Sequence, residues 1–210
     1  MRIAFLFYDD MTTLDAIGPW EVLARLPGAE AVAASRSGGA IRTDTGLVFA
    51  QTAKFSDIAA ADVLVVPGTG NFAQLAEPAA IEWARSLHAT TQWTTSVCTG
   101  AMILGAAGIL QGKRATTHWA AAGALTKHGA TYAPERVVIE GKVITAAGVS
   151  SGIDMALTLA ARLVDEPTAR ALQLGIEYDP QPPFDSGNAA KADDALKAKA
   201  LSVLAGGVKR

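Results

Sequence analysis

Thr94-Thr95-Ser96-Val97-Cys98-Thr99-Gly100-Ala101-Met102-Ile103-Leu104 is the stretch that decides the fold. Its first part is rich in β-branched residues and reads as a strand, and its second part is a small-residue helical pattern. No spacer separates the two. A strand that turns directly into a helix, with a nucleophilic side chain at the turn, forms an elbow that presents that side chain at the edge of a sheet. Cys98 occupies the apex and is the only cysteine of the 210-residue chain. At the start of a helix, unpaired N–H groups and the helix dipole favour the thiolate, the form that attacks electrophiles. The alternative is a buried, inert structural cysteine. The elbow favours the reactive thiol.

Outward from the elbow, strands and helices alternate. Residues 3–8 form a nearly continuous apolar run, as expected of a central parallel strand buried on both faces. Residues 15–26 follow as a helix with Pro19 in its first turn, and 29–35 as a second strand. Residues 36–57 suggest a short strand or hairpin around Leu47-Val48-Phe49 at a sheet margin. The next buried strand is 62–67, which ends in the turn Gly68-Thr69-Gly70. A helix over 78–89, the strand 92–97 and a helix over 99–107 complete the elbow region. Strands are expected at 114–117 and 136–139, on either side of a helix over 120–127. Glu140-Gly141-Lys142 reads as a tight turn into a strand over 143–146. Helices then cover 151–164 and a segment from Pro167 to about Glu177.

This alternation argues for an α/β fold, a mainly parallel sheet covered by helices on both faces. In such sheets the ligand site lies beyond the carboxyl ends of the strands. Asp15, Gly68-Thr69-Gly70 and Cys98 each follow a strand and should converge on that edge. The expected organisation is one domain over residues 1–188 and a helical appendage over 189–210. Within the appendage, an Ala/Lys/Leu-rich helix spans 191–205.

Half of the residues are hydrophobic and 18% are charged, the composition of a globular chain. With a formal net charge of −2 and no block of Lys or Arg, nucleic-acid or acidic-membrane binding has no electrostatic support. Asp9 and Asp10 follow directly on the short apolar N-terminus, unlike a signal peptide. A lone thiol is easiest to keep free in a reducing compartment, so the cytoplasm is expected. No His/Cys/Asp/Glu cluster has metal-ligand spacing, and no metal or cofactor is expected.

Asp15 is the first candidate partner of Cys98. It reads either as a helix N-cap or as a carboxyl facing the thiol. In the second case the two would titrate as a coupled pair, and a carboxyl retaining its proton near neutrality is a general acid. Glu21 would lie roughly opposite on the same helix and so cannot share the site. The N–H of Thr99 lies where an oxyanion hole would form, and its hydroxyl could bind substrate or water. Gly68, Thr69 and Gly70 either supply facing N–H groups or form a plain turn; the turn lacks the Lys-Ser/Thr of a Walker loop and the Gly-x-Gly-x-x-Gly of a dinucleotide site. His118, after a short strand, reads either as the base of a Cys-His dyad or as a packing residue. His88 and His128 lie in polar helix-end contexts at the surface.

These motifs resemble the ThiJ/PfpI superfamily and, within it, the isonitrile (isocyanide) hydratases. The resemblance rests on Leu14-Asp15-Ala16-Ile17-Gly18-Pro19, on Thr95-Ser96-Val97-Cys98-Thr99-Gly100, and on the run from Leu104 to Thr117-His118-Trp119. It continues through Gly152-Ile153-Asp154-Met155-Ala156-Leu157 to the tail Glu177-Tyr178-Asp179-Pro180-Gln181-Pro182-Pro183-Phe184. It implies a flavodoxin-like three-layer sandwich of the class I glutamine amidotransferase type, a homodimer, Cys98 as nucleophile and Asp15 as its acid/base partner. Binding roles fall to Gly68, Thr69, Gly70, His118 and Val149. Thr99 stands where the peptidase-like branch has histidine, so proteolysis is not implied. Ala146-Ala147-Gly148-Val149-Ser150 is less glycine-rich than the corresponding stretch of the hydratases, and Pro67-Gly68-Thr69-Gly70 is one glycine shorter. A small-molecule substrate is implied, without nucleic acid or membrane. Rival readings are a glyoxalase-like hydratase of 2-oxoaldehydes and a non-enzymatic thiol sensor; sensors of this type usually carry a helix-turn-helix region, for which residues up to Arg210 leave no room.

Overall fold

The computed structural model describes the backbone of residues 1–206 and the side chains of residues 1–204; residues 207–210 of the expected appendage lie outside that range. In chain order the elements are β1 (Arg2–Leu6), α1 (Thr13–Leu23), β2 (Glu30–Ser35), β3 (Ile41–Arg42), β4 (Val48–Phe49), β5 (Ala53–Lys54) and β6 (Val63–Val66). They continue with α2 (Phe72–Leu75), α3 (Pro78–Thr90), β7 (Trp93–Val97), α4 (Gly100–Ala106), β8 (Arg114–Ala115), α5 (Ala122–Leu125) and β9 (Thr131–Tyr132). The last are β10 (Val137–Glu140), β11 (Val143–Ala146), α6 (Ser151–Leu163), α7 (Glu166–Gly175) and α8 (Asp194–Gly206).

Seven strands form the main sheet in the order β10-β11-β7-β6-β1-β2-β5. Every pair is parallel except β10 with β11, which the Glu140-Gly141-Lys142 turn joins as an antiparallel hairpin. Helices α1, α6 and α7 pack together, and so do α3, α4 and α5, giving the flavodoxin-like sandwich. The apolar runs of β1 and β6 are buried on both faces because helices cover both: Ile3, Ala4, Phe5 and Leu6 and all of Val63–Val66 have no exposed surface. The chain runs outward from β1 to β2 on one side and to β6 and β7 on the other. The order therefore reverses between β1 and β6, and the crevice beyond their carboxyl ends opens there.

Three local expectations differ from the structure. The strand over 114–117 shrinks to Arg114–Ala115 and pairs with Thr131–Tyr132 in a separate two-stranded sheet. Beyond it Thr116 donates its N–H to the side-chain hydroxyl of Thr145 in β11 at 2.9 Å instead of to a strand's backbone carbonyl. The helix over 120–127 breaks into a 3-10 turn, α5 and a second 3-10 turn ending at Gly129, whose φ of 71° only glycine adopts readily. Finally, α1 begins at Thr13 and stops at Leu23, so Asp15 lies inside its first turn. Among the described residues no helix is long and apolar enough to cross a membrane.

Candidate active site

Cys98 follows β7 in a left-handed backbone conformation, with φ 57°. Such a conformation costs a non-glycine residue of order 1 kcal/mol, so the surroundings must hold it. Its N–H donates to the carbonyls of Ala146 and Ala147, at 3.1 and 2.8 Å, and its own carbonyl accepts from the Thr117 hydroxyl at 2.8 Å. Gly100 is the other half of the elbow. A Cβ there would stand 2.2 Å from the Val66 carbonyl oxygen, and backbone cannot move aside. Close contact between the start of α4 and the end of β6 thus requires glycine at position 100. The turn after β6 is then drawn against the elbow.

Asp15 completes the site from the neighbouring strand end. The N-cap of α1 is Thr12, and Asp15 reaches away from the helix to accept the Gly68 N–H at 2.8 Å. Its other oxygen, Oδ1, is buried without a nitrogen or oxygen partner, and the Cys98 thiol lies close enough to donate to the carboxyl. The residue has no exposed surface. Burial pushes its pKa from the ordinary 3.8 up to about 7, with Asp44 adding and the Gly68 N–H and the thiol opposing. Glu21, by contrast, is exposed and paired with Arg25.

The same burial acts on the sulfur. Burial first, and the Asp15 charge second, push the Cys98 thiol well up, against the N–H groups of Val149 and Thr99 and the Thr99 hydroxyl that bond to the sulfur. Burial thus opposes the thiolate that the helix start favours. The pair thus places a thiol beside a carboxyl whose pKa burial raises toward neutrality.

Thr99 and Thr69 are engaged with each other. The Thr99 hydroxyl donates to the Thr69 carbonyl and accepts the Thr69 N–H, both at 2.7 Å. Its one proton is shared between that carbonyl and the Cys98 sulfur, against which the same side chain also lies. The Gly68 N–H is likewise spent on Asp15, so the 68–70 turn orients Asp15 more than it forms an oxyanion hole. The donors that face the sulfur are the N–H groups of Val149 and Thr99 and the Thr99 hydroxyl. Val149 reaches that position with φ 28°, an unusual conformation for a β-branched residue.

His118 lies on the cavity wall with the ring against Gly148, where an added Cβ would come within 2.8 Å of Cδ2. Its Nδ1 accepts the Ala120 N–H at 3.3 Å, and burial lowers its pKa, so the ring is neutral. Among the described residues, no hydrogen bond joins it to Cys98 or Asp15. His88 and His128 lie outside the cavity lining.

Several residues of the site carry no sequence signal. Tyr8 donates its hydroxyl to the Pro67 carbonyl at 2.7 Å and bears on the 67–70 turn; burial, reinforced by the nearby acids, keeps it protonated. Asp44 comes from the β3–β4 hairpin, whose Thr43 hydroxyl bonds to Thr13 at 2.8 Å. The cavity above Cys98 measures about 920 Å³, and its walls include Asp10, Asp44, Phe72, Leu201 and Leu204.

Known proteins resemble this chain in sequence and fold. The isonitrile hydratase of Pseudomonas putida is 42% identical over 209 residues, covering 97% of this chain and 92% of that protein. The HTH-type transcriptional regulator CdhR of Pseudomonas aeruginosa is 28% identical over 86% of the chain, which spans 48% of the regulator's length. Among solved structures, a ThiJ/PfpI family protein from Pseudomonas syringae superimposes with a TM-score of 0.92 at 36% identity, over 99% of this chain and 87% of that one. The sequence profile of the DJ-1/PfpI family matches residues 1–162, from β1 through all but the last residue of α6, and the chain belongs to that family.

Proposed function

We propose that the chain hydrates isonitriles to N-substituted formamides, with Cys98 as the covalent nucleophile and Asp15 as the group that carries protons. The observation that carries the chemistry is the Asp15 carboxyl beside the Cys98 thiol, with a pKa of about 7. The reaction class follows from the 42% identity to an isonitrile hydratase along nearly the whole of both chains.

In R–N≡C the terminal carbon is the electrophile. Ionised Asp15 takes the proton from sulfur as sulfur bonds to that carbon, then returns the proton to the same carbon. The result is a thioimidate, R–N=CH–S–Cys98. Asp15, again a carboxylate, takes a proton from water as the water oxygen adds to the thioimidate carbon, and passes it to nitrogen. The adduct R–NH–CH(OH)–S collapses: the C–S bond breaks, the hydroxyl proton leaves through Asp15 to sulfur, and R–NH–CHO departs. One water is consumed, and both catalytic groups are restored. A site that works through a paired acid and nucleophile needs pKa values matched to proton transfer near the working pH. The N–H groups of Thr99 and Val149 stabilise charge on the sulfur during its attack and its departure.

Incubation with methyl isocyanide at pH 7.5, followed by NMR, is expected to yield N-methylformamide in multiple turnovers per protein. Lactate from methylglyoxal with no formamide from the isocyanide would instead assign a 2-oxoaldehyde hydratase. His118 is a wall residue in this scheme, since a neutral ring bonded to a backbone N–H has no part in the proton path. His118→Gln is therefore expected to change kcat by less than tenfold, ~1.4 kcal/mol of barrier. A loss as deep as that of a nucleophile variant, in folded protein, would move the base role from Asp15 to His118.

The same reading takes residues 1–188 as one domain with 189–210 appended, a cytoplasmic setting for the free thiol, and a homodimer. Sedimentation at twice the 21.6 kDa chain mass checks the last.

A further inference from the structure

The C-terminal helix α8 sits at the active site. Leu201 and Leu204 lie three residues apart, hence on one face of the helix, and both line the cavity that holds Cys98. Phe72, in the short α2 after the 68–70 turn, lines it as well. All three keep much of their surface open: 44% for Leu201, 59% for Leu204 and 60% for Phe72. Large apolar side chains left open toward a cavity above a nucleophile are what a ligand's apolar portion would cover.

The chemistry of the substrate gives that wall a role. The isocyano group is one carbon and one nitrogen, with no hydrogen-bond donor for a pocket to grip. Binding energy beyond the reacting atoms must come from the substituent on nitrogen. A one-carbon substituent leaves most of a 920 Å³ cavity unfilled, whereas an aromatic or branched one reaches across it. We propose that Leu201 and Leu204 of α8, together with Phe72, form the wall that binds the N-substituent and selects bulky apolar isonitriles over small ones. The proposal rests on the isonitrile reading and extends it to substrate class. It also makes the appendage a working part of the site.

The experiment uses the full chain and compares kcat/KM for benzyl isocyanide with that for methyl isocyanide. Leu201→Ala and Leu204→Ala remove the wall while keeping a strong helix former in place. Val203→Ala, at a 61% exposed position of the same helix outside the cavity lining, controls for changes in the helix itself. Each leucine variant is expected to lower the benzyl-to-methyl ratio by about tenfold, the low end for a group lost from an apolar pocket. Val203→Ala is expected to hold the ratio within about twofold, inside the usual scatter of an exposed substitution. An unchanged ratio in both leucine variants, or an equal fall in Val203→Ala, overturns the proposal. A second measurement separates it from the reaction itself: the rate of Cys98 alkylation by N-benzyl-2-iodoacetamide relative to iodoacetamide. If the wild type hydrates neither isocyanide, the hydratase reading fails. The alkylation ratio still decides the wall, falling in the leucine variants if it is real and staying constant if it is not.

Discussion

Cys98→Ala is expected to abolish formamide formation from any isocyanide, to below the detection limit of an NMR assay, in a protein that remains folded. Without sulfur no thioimidate forms, and nothing else in the site replaces it. Covalent catalysis here divides a difficult addition of water to carbon into two additions, each assisted by a positioned proton carrier. Folding should survive because alanine at position 98 retains the N–H that bonds to Ala146 and Ala147 and the carbonyl that bonds to the Thr117 hydroxyl. The left-handed φ is costly for alanine and cysteine alike, so the exchange adds no strain. Cys98→Ser should also be inactive, since a serine hydroxyl is far harder to ionise in a site that already pushes the thiol upward. Mass spectrometry of the wild type quenched during turnover should find the substrate's mass added to the peptide containing Cys98, and alanine should eliminate it. Folded Cys98→Ala with near-normal kcat would end the covalent mechanism.

The elbow was legible in the sequence because two independent signals coincide there: the strand-to-helix change of period and a lone nucleophile at its apex. Strands buried on both faces were legible for the same kind of reason, as the apolar runs of β1 and β6 have no alternation to misread. Asp15 was legible only as an ambiguity. An aspartate near a helix start satisfies a capping pattern equally well, and only the structure gives the cap position to Thr12 and turns the Asp15 carboxyl to the Gly68 N–H. The helix start at Cys98 can be read from sequence, whereas the burial that opposes ionisation of its thiol cannot. Val149 contradicts its own propensity: a β-branched residue at φ 28° is where local rules fail, and such failures gather at functional sites. The two-residue strands β8 and β9 are too short to show a period. Leu201 and Leu204 read as part of an appended helix, since nothing in residues 191–205 points back to residue 98.

Asp15→Asn should separate the catalytic and structural roles of the acid, and it is expected to lower kcat at least about 100-fold, the usual scale of general acid–base catalysis. Asparagine is close in shape and retains an oxygen for the Gly68 N–H, but it cannot receive the proton from sulfur or return one to carbon. Stability should move in the opposite direction. The carboxyl has a pKa of about 7 in the folded protein and an ordinary value of 3.8 when unfolded. Below pH 4 it is protonated in both states and carries no penalty. As pH rises from 4 to 7, the unfolded chain releases this proton before the folded protein does, so folding loses stability across that window. Above pH 7 the loss is complete, on the order of 4 kcal/mol from the shift alone. Asparagine is neutral throughout and escapes this loss. At pH 8 the variant should melt several degrees above the wild type, and the gap should narrow steadily as pH falls to 4. A buried acid kept at a cost in stability is what a catalytic demand would retain. If melting curves of the two proteins instead remain parallel from pH 4 to 8 and kcat falls less than threefold, Asp15 neither carries protons nor bears a buried charge.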